Sequence, residues 1–345
     1  MSTVLICAQV ILRGGGRLFF CFMNSLSALS AIAAGDNHII IKSSILCALC
    51  LTLSYLLIPV CRAVAGIVGA TDDPSDPRRV NVRRVPRMGG VGFFAAFAAA
   101  MLIGGMVGDS TANALLVGGS IIVAAGVSDD VFSLTPSVKF ALQLAAALVA
   151  LTFIEIPARF SFFGLFSIPL SGLIGAVFAA VRIVFSMNAV NFSDGLDGLA
   201  SGLSVTALLS LFFFGLSNES YPAAFAALLL CAAVIGFIPY NKYRARIFMG
   251  DCGSQFLGYA IAILSLGCSA DGSFTAETSL FLSIPIIDTW FSVTRRLLHG
   301  KSPFAADKGH LHHVLLSLGI SHPVAVKILV SAGALVALAT LFIAL

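Results

Sequence analysis

Apolar runs of helical length alternate with short polar breaks along most of this 345-residue chain. The runs lie near 45–69, 89–107, 112–127, 137–154, 170–187, 198–216, 222–239, 253–269, 278–293 and 323–344, and each approaches the roughly 20 apolar residues with which a helix crosses hydrocarbon. The pattern predicts an all-α integral membrane protein, a polytopic bundle of about ten transmembrane helices. Residues 45–345 are expected to form one polytopic domain. Residues 1–44 are read separately: the apolar segment from Phe19 to Ala34 is serine-rich, barely long enough to span, and preceded by Arg13 and Arg17. Three readings stay open for it: an eleventh helix, an uncleaved signal-like anchor, or an over-extended start with the initiator at Met23.

Composition agrees with the pattern. The chain is 59% hydrophobic and 10% charged, with a mean hydropathy of +1.02, whereas soluble domains carry about 25% charged residues. The eight cysteines are scattered, mostly within apolar runs. Cys47 and Cys50 form a CxxC, but inside such a run a thiol acts as a small apolar group rather than a metal or redox ligand.

Lys and Arg in the breaks give an orientation that is independent of any motif. Alternate breaks hold Arg78, Arg79, Arg83, Arg84 and Arg87, then Lys139 and Arg182, then Lys242, Arg244 and Arg246, then Arg295, Arg296, Lys301 and Lys308. The opposite breaks hold Arg159 alone, beside Asp109, Glu155, Glu219, Asp271 and Glu277. Positive charge stays in the cytoplasm. The basic breaks therefore face inward, and every polar cluster of interest falls on that side.

Five inner clusters carry candidate chemistry. The first runs from Asp72 to Gly90 with five arginines between Arg78 and Arg87; the arginine fork fits phosphate oxygens, and a positive-inside anchor is the plainer alternative. The second is Asp129-Asp130, whose adjacent carboxylates at a membrane boundary need a cation, a lysine or a shared proton, or else act as helix caps. The third runs from Asn188 through Asn191, Asp194 and Asp197 to Gly202. Its two aspartates share one face on a helical turn, suited to a polar ligand or a cation, unless Asn and Asp merely cap the next helix. The fourth is Asn241 and Phe248-Met-Gly250-Asp251-Cys-Gly253-Ser254. There a helix N-terminus offers amides to a phosphate and Asp251 suits magnesium, or manganese, since magnesium takes few carboxylates plus phosphates and water. The fifth holds Asp288, Arg295 and Arg296, then Ser302-Pro303-Phe304, Asp307 and His310-Leu-His312-His313. Zinc sites usually spread their ligands and include thiolates, so histidines facing a pyrophosphate fit at least as well. No nucleophilic triad, Walker lysine motif or dinucleotide fingerprint occurs, and no nucleic-acid partner is expected. The common denominator is a magnesium-bound diphosphate at a membrane surface.

These motifs resemble the polyprenyl-phosphate N-acetylhexosamine-1-phosphate transferases, from about Pro59 to the C-terminus. The likeness rests on Asp129-Asp130, the run NxxNxxDGxDGLAxG from Asn188, MGDxGSxxLG from Met249 and SPFxxDxxHxHH from Ser302, in that order. The resemblance implies a membrane enzyme that moves a sugar 1-phosphate from a UDP-N-acetylhexosamine to undecaprenyl phosphate and releases UMP. It implies that Asp251 is the magnesium ligand and that Asp129, with Asp130 beside it, deprotonates or positions the lipid phosphate. Asn188, Asn191, Asp194 and Asp197 match the nucleotide-sugar and metal-neighbouring set, and Asn241 and Phe248 the uridine contacts. His310, His312 and His313, with Arg295, match the group that meets the diphosphate, and Arg87 and Arg296 are grouped with the substrate-binding residues. Departures are Asn81 where the family carries a histidine, and Ala306 and Lys308 where it carries Pro and Arg.

His-Leu-His-His after Ser-Pro-Phe resembles the branch that starts O-antigen or related glycans, rather than the enzyme using UDP-N-acetylmuramyl-pentapeptide, which shows three consecutive histidines. The implied location is a bacterial inner membrane with the active site toward the cytoplasm, and a homodimer is one arrangement left open. The implied mechanism is in-line attack of the lipid phosphate on the β-phosphorus, with a covalent route through Asp129 or Asp130 as the alternative. A transporter or flippase of an anionic lipid or nucleotide sugar is the competing class. It calls for charged groups near mid-membrane and paired broken helices, whereas these clusters sit at one face.

Overall fold

The computed structural model describes residues 37–72, 84–170, 172–269, 273–300 and 309–344. Arg78, Arg79, Asn81, Arg83, Asp271, the Ser302–Lys308 stretch and the 19–34 segment lie outside the described residues. The chain begins with helix α1 (Asn37–Val68), strands β1 (Thr71–Asp72) and β2 (Val85–Pro86), and helices α2 (Gly89–Ile103), α3 (Ser110–Phe132) and α4 (Pro136–Ala150). Then come β3 (Arg159–Phe162), β4 (Phe166–Pro169), α5 (Leu173–Ser193), α6 (Leu199–Ser217), α7 (Tyr221–Asn241) and α8 (Gly250–Gly267). Strand β5 (Phe274–Thr275), the short α9 (Ala276–Leu280), α10 (Ser283–Leu298), α11 (Leu311–Ser317) and α12 (His322–Ala344) complete it.

Every expected run falls on a helix, yet only α1, α3, α5, α6, α7 and α12 are long and apolar enough to cross a membrane, six in the described residues. The protein is a multi-pass membrane protein with six clear spans among the described residues, and a count of about ten is not confirmed. The reasons are local. Helices α2 and α4 have 15 residues each, about 22 Å of rise against the roughly 30 Å of hydrocarbon. Helix α8 starts with Asp251 and Gln255, and the run near 278–293 is broken between α9 and α10. The first helix also starts at Asn37 rather than near Ile45.

Helix α8 is the hub of the bundle. All its residues from Gly250 to Leu266 are buried, as expected for a helix surrounded by others. Two glycines set its neighbours' distance: a Cβ on Gly90 would collide with the backbone of Gly253, and one on Gly126 with the backbone of Cys252. These approaches bring the start of α2 and the end of α3 onto the first turn of α8, which fixes where Arg87, Asp129 and Asp130 can point.

Two small sheets qualify the all-helical expectation. Strands β1 and β2 pair antiparallel, and β3 pairs antiparallel with β4 and parallel with β5. Between β3 and β4 the chain turns at Phe163 and Gly164, both at positive φ, and Phe162 stacks on Phe166 at 5.2 Å. Arg182, grouped above with the inner basic residues, lies mid-way along α5, its guanidinium 4.1 Å from the Phe274 ring of β5.

Candidate active site

Five breaks meet at one end of the bundle, around Asp251 in the first turn of α8. Arg87 Nη2 lies 3.1 Å from Asp251 Oδ1 and its Nε 3.4 Å from Asp130 Oδ1. Lys139 Nζ, one turn into α4, stands 2.7 Å from both Asp129 Oδ2 and Asp251 Oδ2. The adjacent carboxylates are thus neutralised by separate cations, the arginine for Asp130 and the lysine for Asp129. Asp130 also accepts the amides of Asp251 at 3.1 Å and Cys252 at 3.4 Å. This corrects one expectation: the α8 N-terminus is already capped by a carboxylate from α3, so those two amides are not open to a phosphate.

An amide relay extends from this cluster. Gln255 donates to Asp251 Oδ2 at 3.0 Å, Gln143 donates to Gln255 at 3.0 Å, and Asn188 donates to Gln143 at 2.9 Å. Asn191 donates to Ser254 Oγ at 2.8 Å. Asn188 and Asn191 are therefore oriented by side chains of α4 and α8. Asp197 accepts the Ala245 amide at 3.0 Å through Oδ2, while its buried Oδ1 has no hydrogen-bond partner among the described residues. The Asp197 amide donates to His322 Nε2 at 2.8 Å.

Asp194 follows the last residue of α5, and the structure gives its carboxylate no hydrogen bond or ion pair among the described residues. Burial, with Asp251, Asp130 and Asp197 nearby, holds its carboxyl well above the usual range, against the pull of Arg87. Such a group gains from an added cation. No trio of His, Cys, Asp or Glu is grouped tightly enough to hold a metal alone among the described residues. The donors gathered here are nonetheless all carboxylate or amide oxygens, the set a hard cation takes when phosphates and water complete its shell.

Asn241 is engaged within the fold: Ser201 Oγ donates to its Oδ1 at 2.6 Å, and its Nδ2 donates to the Ile247 carbonyl at 3.4 Å. Phe248, partly exposed, is held through its backbone, accepting from Gly89 at 2.9 Å and donating to Pro86 at 2.8 Å. The histidines stand across the site. The His312 ring packs directly on Gly195, beside Asp194, where a Cβ would collide with it. It stacks at 5.8 Å on His310 and lies 4.3 Å from His313. Burial, with His313 and His310 beside it, pushes His312 down to about 4. Arg295 packs on Gly309, and Arg296 lies 5.7 Å from the Phe192 ring.

An apolar groove of about 550 Å³ reaches this end of the bundle between α4, α5 and α10. One stripe of α5 from Leu173 to Phe192 lines its length, with Phe140 and Trp290 on the flanks. The stripe covers about 28 Å of helix rise.

Comparison with known proteins decides the family. Residues 112–269 match the Glycosyl transferase family 4 model. A Bacillus subtilis (strain 168) protein named "Probable undecaprenyl-phosphate N-acetylglucosaminyl 1-phosphate transferase" is 36% identical over 295 residues, 81% of this chain and 79% of that protein. The chain belongs to glycosyl transferase family 4. Within the family it is also similar to the decaprenyl-phosphate N-acetylglucosaminephosphotransferase of Mycolicibacterium smegmatis, 34% identical over 80% of this chain and 76% of that protein. The undecaprenyl-phosphate alpha-N-acetylglucosaminyl 1-phosphate transferase of Escherichia coli (strain K12) is 27% identical over 80% and 77%.

In this family-4 chain the structure links Arg87, Asp129, Asp130, Asn188 and Asp251 through ion pairs and hydrogen bonds and sets Asn191 and Asp194 beside them, with His312 packed on Gly195 at its edge. Sequence reasoning did not single out Lys139, Gln143, Gln255 or His322 as site residues. Gln255 carried a signal, since it lies four residues after Asp251 and shares its helix face. The roles of Lys139 and Gln143 depend on how α4 crosses α8, and His322 opens a helix far along the chain.

Proposed function

We propose that the protein transfers N-acetylglucosamine 1-phosphate from UDP-N-acetylglucosamine to undecaprenyl phosphate and releases UMP, at the cytoplasmic face of a bacterial inner membrane. The observation that carries this reading is the juxtaposition of the Asp251 cluster, rich in both carboxylates and cations, with an apolar groove that can take the phosphate-proximal part of a polyprenyl tail. A soluble phosphotransferase has no use for the groove. A transporter needs a polar path, and α8, the axis of the bundle, is mainly apolar from Phe256 to Leu266. The product would start a lipid-linked surface glycan.

Two anions must meet for the reaction. Arg87 and Lys139 reduce the repulsion around the diphosphate, and Asn188, held by the amide relay, and Asn191, held by Ser254, offer polar contacts to the nucleotide sugar. A magnesium ion held by Asp251, with Asp194 as the second carboxylate, would supply further charge neutralisation at the leaving UMP. Both oxygens of Asp130 accept hydrogen bonds from amides of α8, and both oxygens of Asp129 are taken by Leu134 N and Lys139. Carboxylates so engaged are poor nucleophiles, which favours direct attack of the acceptor phosphate on the β-phosphorus over a covalent intermediate. The test is UMP release by purified protein in detergent, with magnesium, undecaprenyl phosphate and a panel of UDP-N-acetylhexosamines. Lipid-dependent, chelator-sensitive release from UDP-N-acetylglucosamine is expected; release without lipid would overturn the reading.

A further inference from the structure

Asp288, Ser292 and His310 form a buried cluster that the steps above leave unused. Asp288 and Ser292 are four residues apart on α10 and share one face. His310 Nδ1 lies 2.9 Å from Asp288 Oδ2 and 3.2 Å from Ser292 Oγ, and Asp288 Oδ1 accepts the Leu311 amide at 2.7 Å. The three side chains belong to residues only 4%, 0% and 7% exposed, so water does not compete for these bonds. An ionised carboxylate can only accept. Nδ1 therefore donates to Asp288, and Nε2, facing away, is left for a ligand; it donates to a phosphate oxygen only when it carries a proton as well, and the Asp288 carboxylate balances the charge of that doubly protonated ring.

The location gives that nitrogen a use. The His310 ring lies 5.5 Å from the Phe192 ring, and Phe192 forms the inner end of the apolar groove. Thr289, next to Asp288, lines the same groove, and the Arg296 guanidinium approaches Phe192 as well. A tail lying in the groove brings its phosphate to His310 and Arg296, while the Asp251 cluster is left to the donor diphosphate.

We infer that Asp288 is a positioning residue that orients His310 to hold the phosphate head of the polyprenyl acceptor at the inner mouth of the groove. The inference rests on the transferase reading, and its test separates the two. Asp288→Asn keeps the volume and an acceptor for Leu311 but removes the negative charge that balances the doubly protonated ring, so that only a neutral ring meets the phosphate. In full-length protein the KM for undecaprenyl phosphate should rise about tenfold or more, with the KM for UDP-N-acetylglucosamine within about twofold. The rise in melting temperature that undecaprenyl phosphate alone gives wild type should shrink to match. His310→Gln should behave alike, and the double variant should add nothing further. If Asp288→Asn is poorly folded, His310→Gln read the same way decides. A donor KM that moves instead, or a fall in kcat alone, overturns the inference. Lipid-induced stabilisation without UMP release in wild type would fault the transferase reading and leave this one standing.

Discussion

Around Asp251, five charged side chains from four segments lock one another with oxygen to nitrogen distances of 2.7 to 3.4 Å, whereas around His312 the contacts are ring on ring and ring on glycine backbone. The acid cluster was built by bringing opposite charges from different helices together. Its members cannot be changed singly without stranding a partner. The histidine side rests on the Asp288 bond and on packing, so single changes there should alter affinity or pH response before they alter the fold. The difference predicts a graded set of effects.

The largest belongs to Asp251→Asn. It keeps shape but removes the charge shared by Arg87 and Lys139, and turnover should fall by about a thousandfold or more. Next is Lys139→Met, which leaves Asp129 and Asp251 facing each other without the ammonium between them. A loss of about a hundredfold in kcat/KM is expected, partly recovered in Lys139→Arg. Ala180→Trp, which fills the middle of the groove far from the acids, should raise the acceptor KM about tenfold and leave the donor KM alone. An equal change in both constants would show that groove and acid cluster are not separable.

The smallest effect is on stability. His312 is held neutral, its pKa in the fold about 4 against an ordinary value of about 6.5. The folded state thus disfavours the proton. The contribution is fully present above about pH 6.5 and is lost as the pH falls toward 4, by up to about 3 kcal/mol. Melting temperature followed from pH 7 to 4.5 should drop less in His312→Phe than in wild type. Parallel curves would place the titration elsewhere.

Most of the acid cluster was legible in the sequence because short polar breaks in an apolar chain leave few places for charge. Asp129, Asp130, Asp194 and Asp251 stood out on that ground alone. Arg87 stood out as a substrate-binding candidate but not as the partner of Asp130 and Asp251, and Lys139 was not singled out, since both reach Asp251 only through the crossing of helices fixed by Gly90 and Gly126. The count of about ten spans is not confirmed for a related reason: an apolar run identifies burial, but α8 is buried in protein on every side, and short runs such as α2 and α4 read the same as long ones. Arg182 was counted with the inner charges because a charge in a membrane segment reads as its end, while in the fold it is covered by Phe274. The sheet at 159–169 lies in a break, 155–169, whose Arg-Phe-Ser-Phe alternation is a strand signal that the search for helical runs passed over.

The most direct test of the account uses UDP-N-acetylglucosamine labelled with ³²P at the β-phosphorus. Attack of the acceptor phosphate at that atom predicts label in the lipid product and unlabelled UMP from wild type, with label transfer lost in Asp251→Asn. Label retained in the released nucleotide, or transfer undiminished in Asp251→Asn, would contradict it.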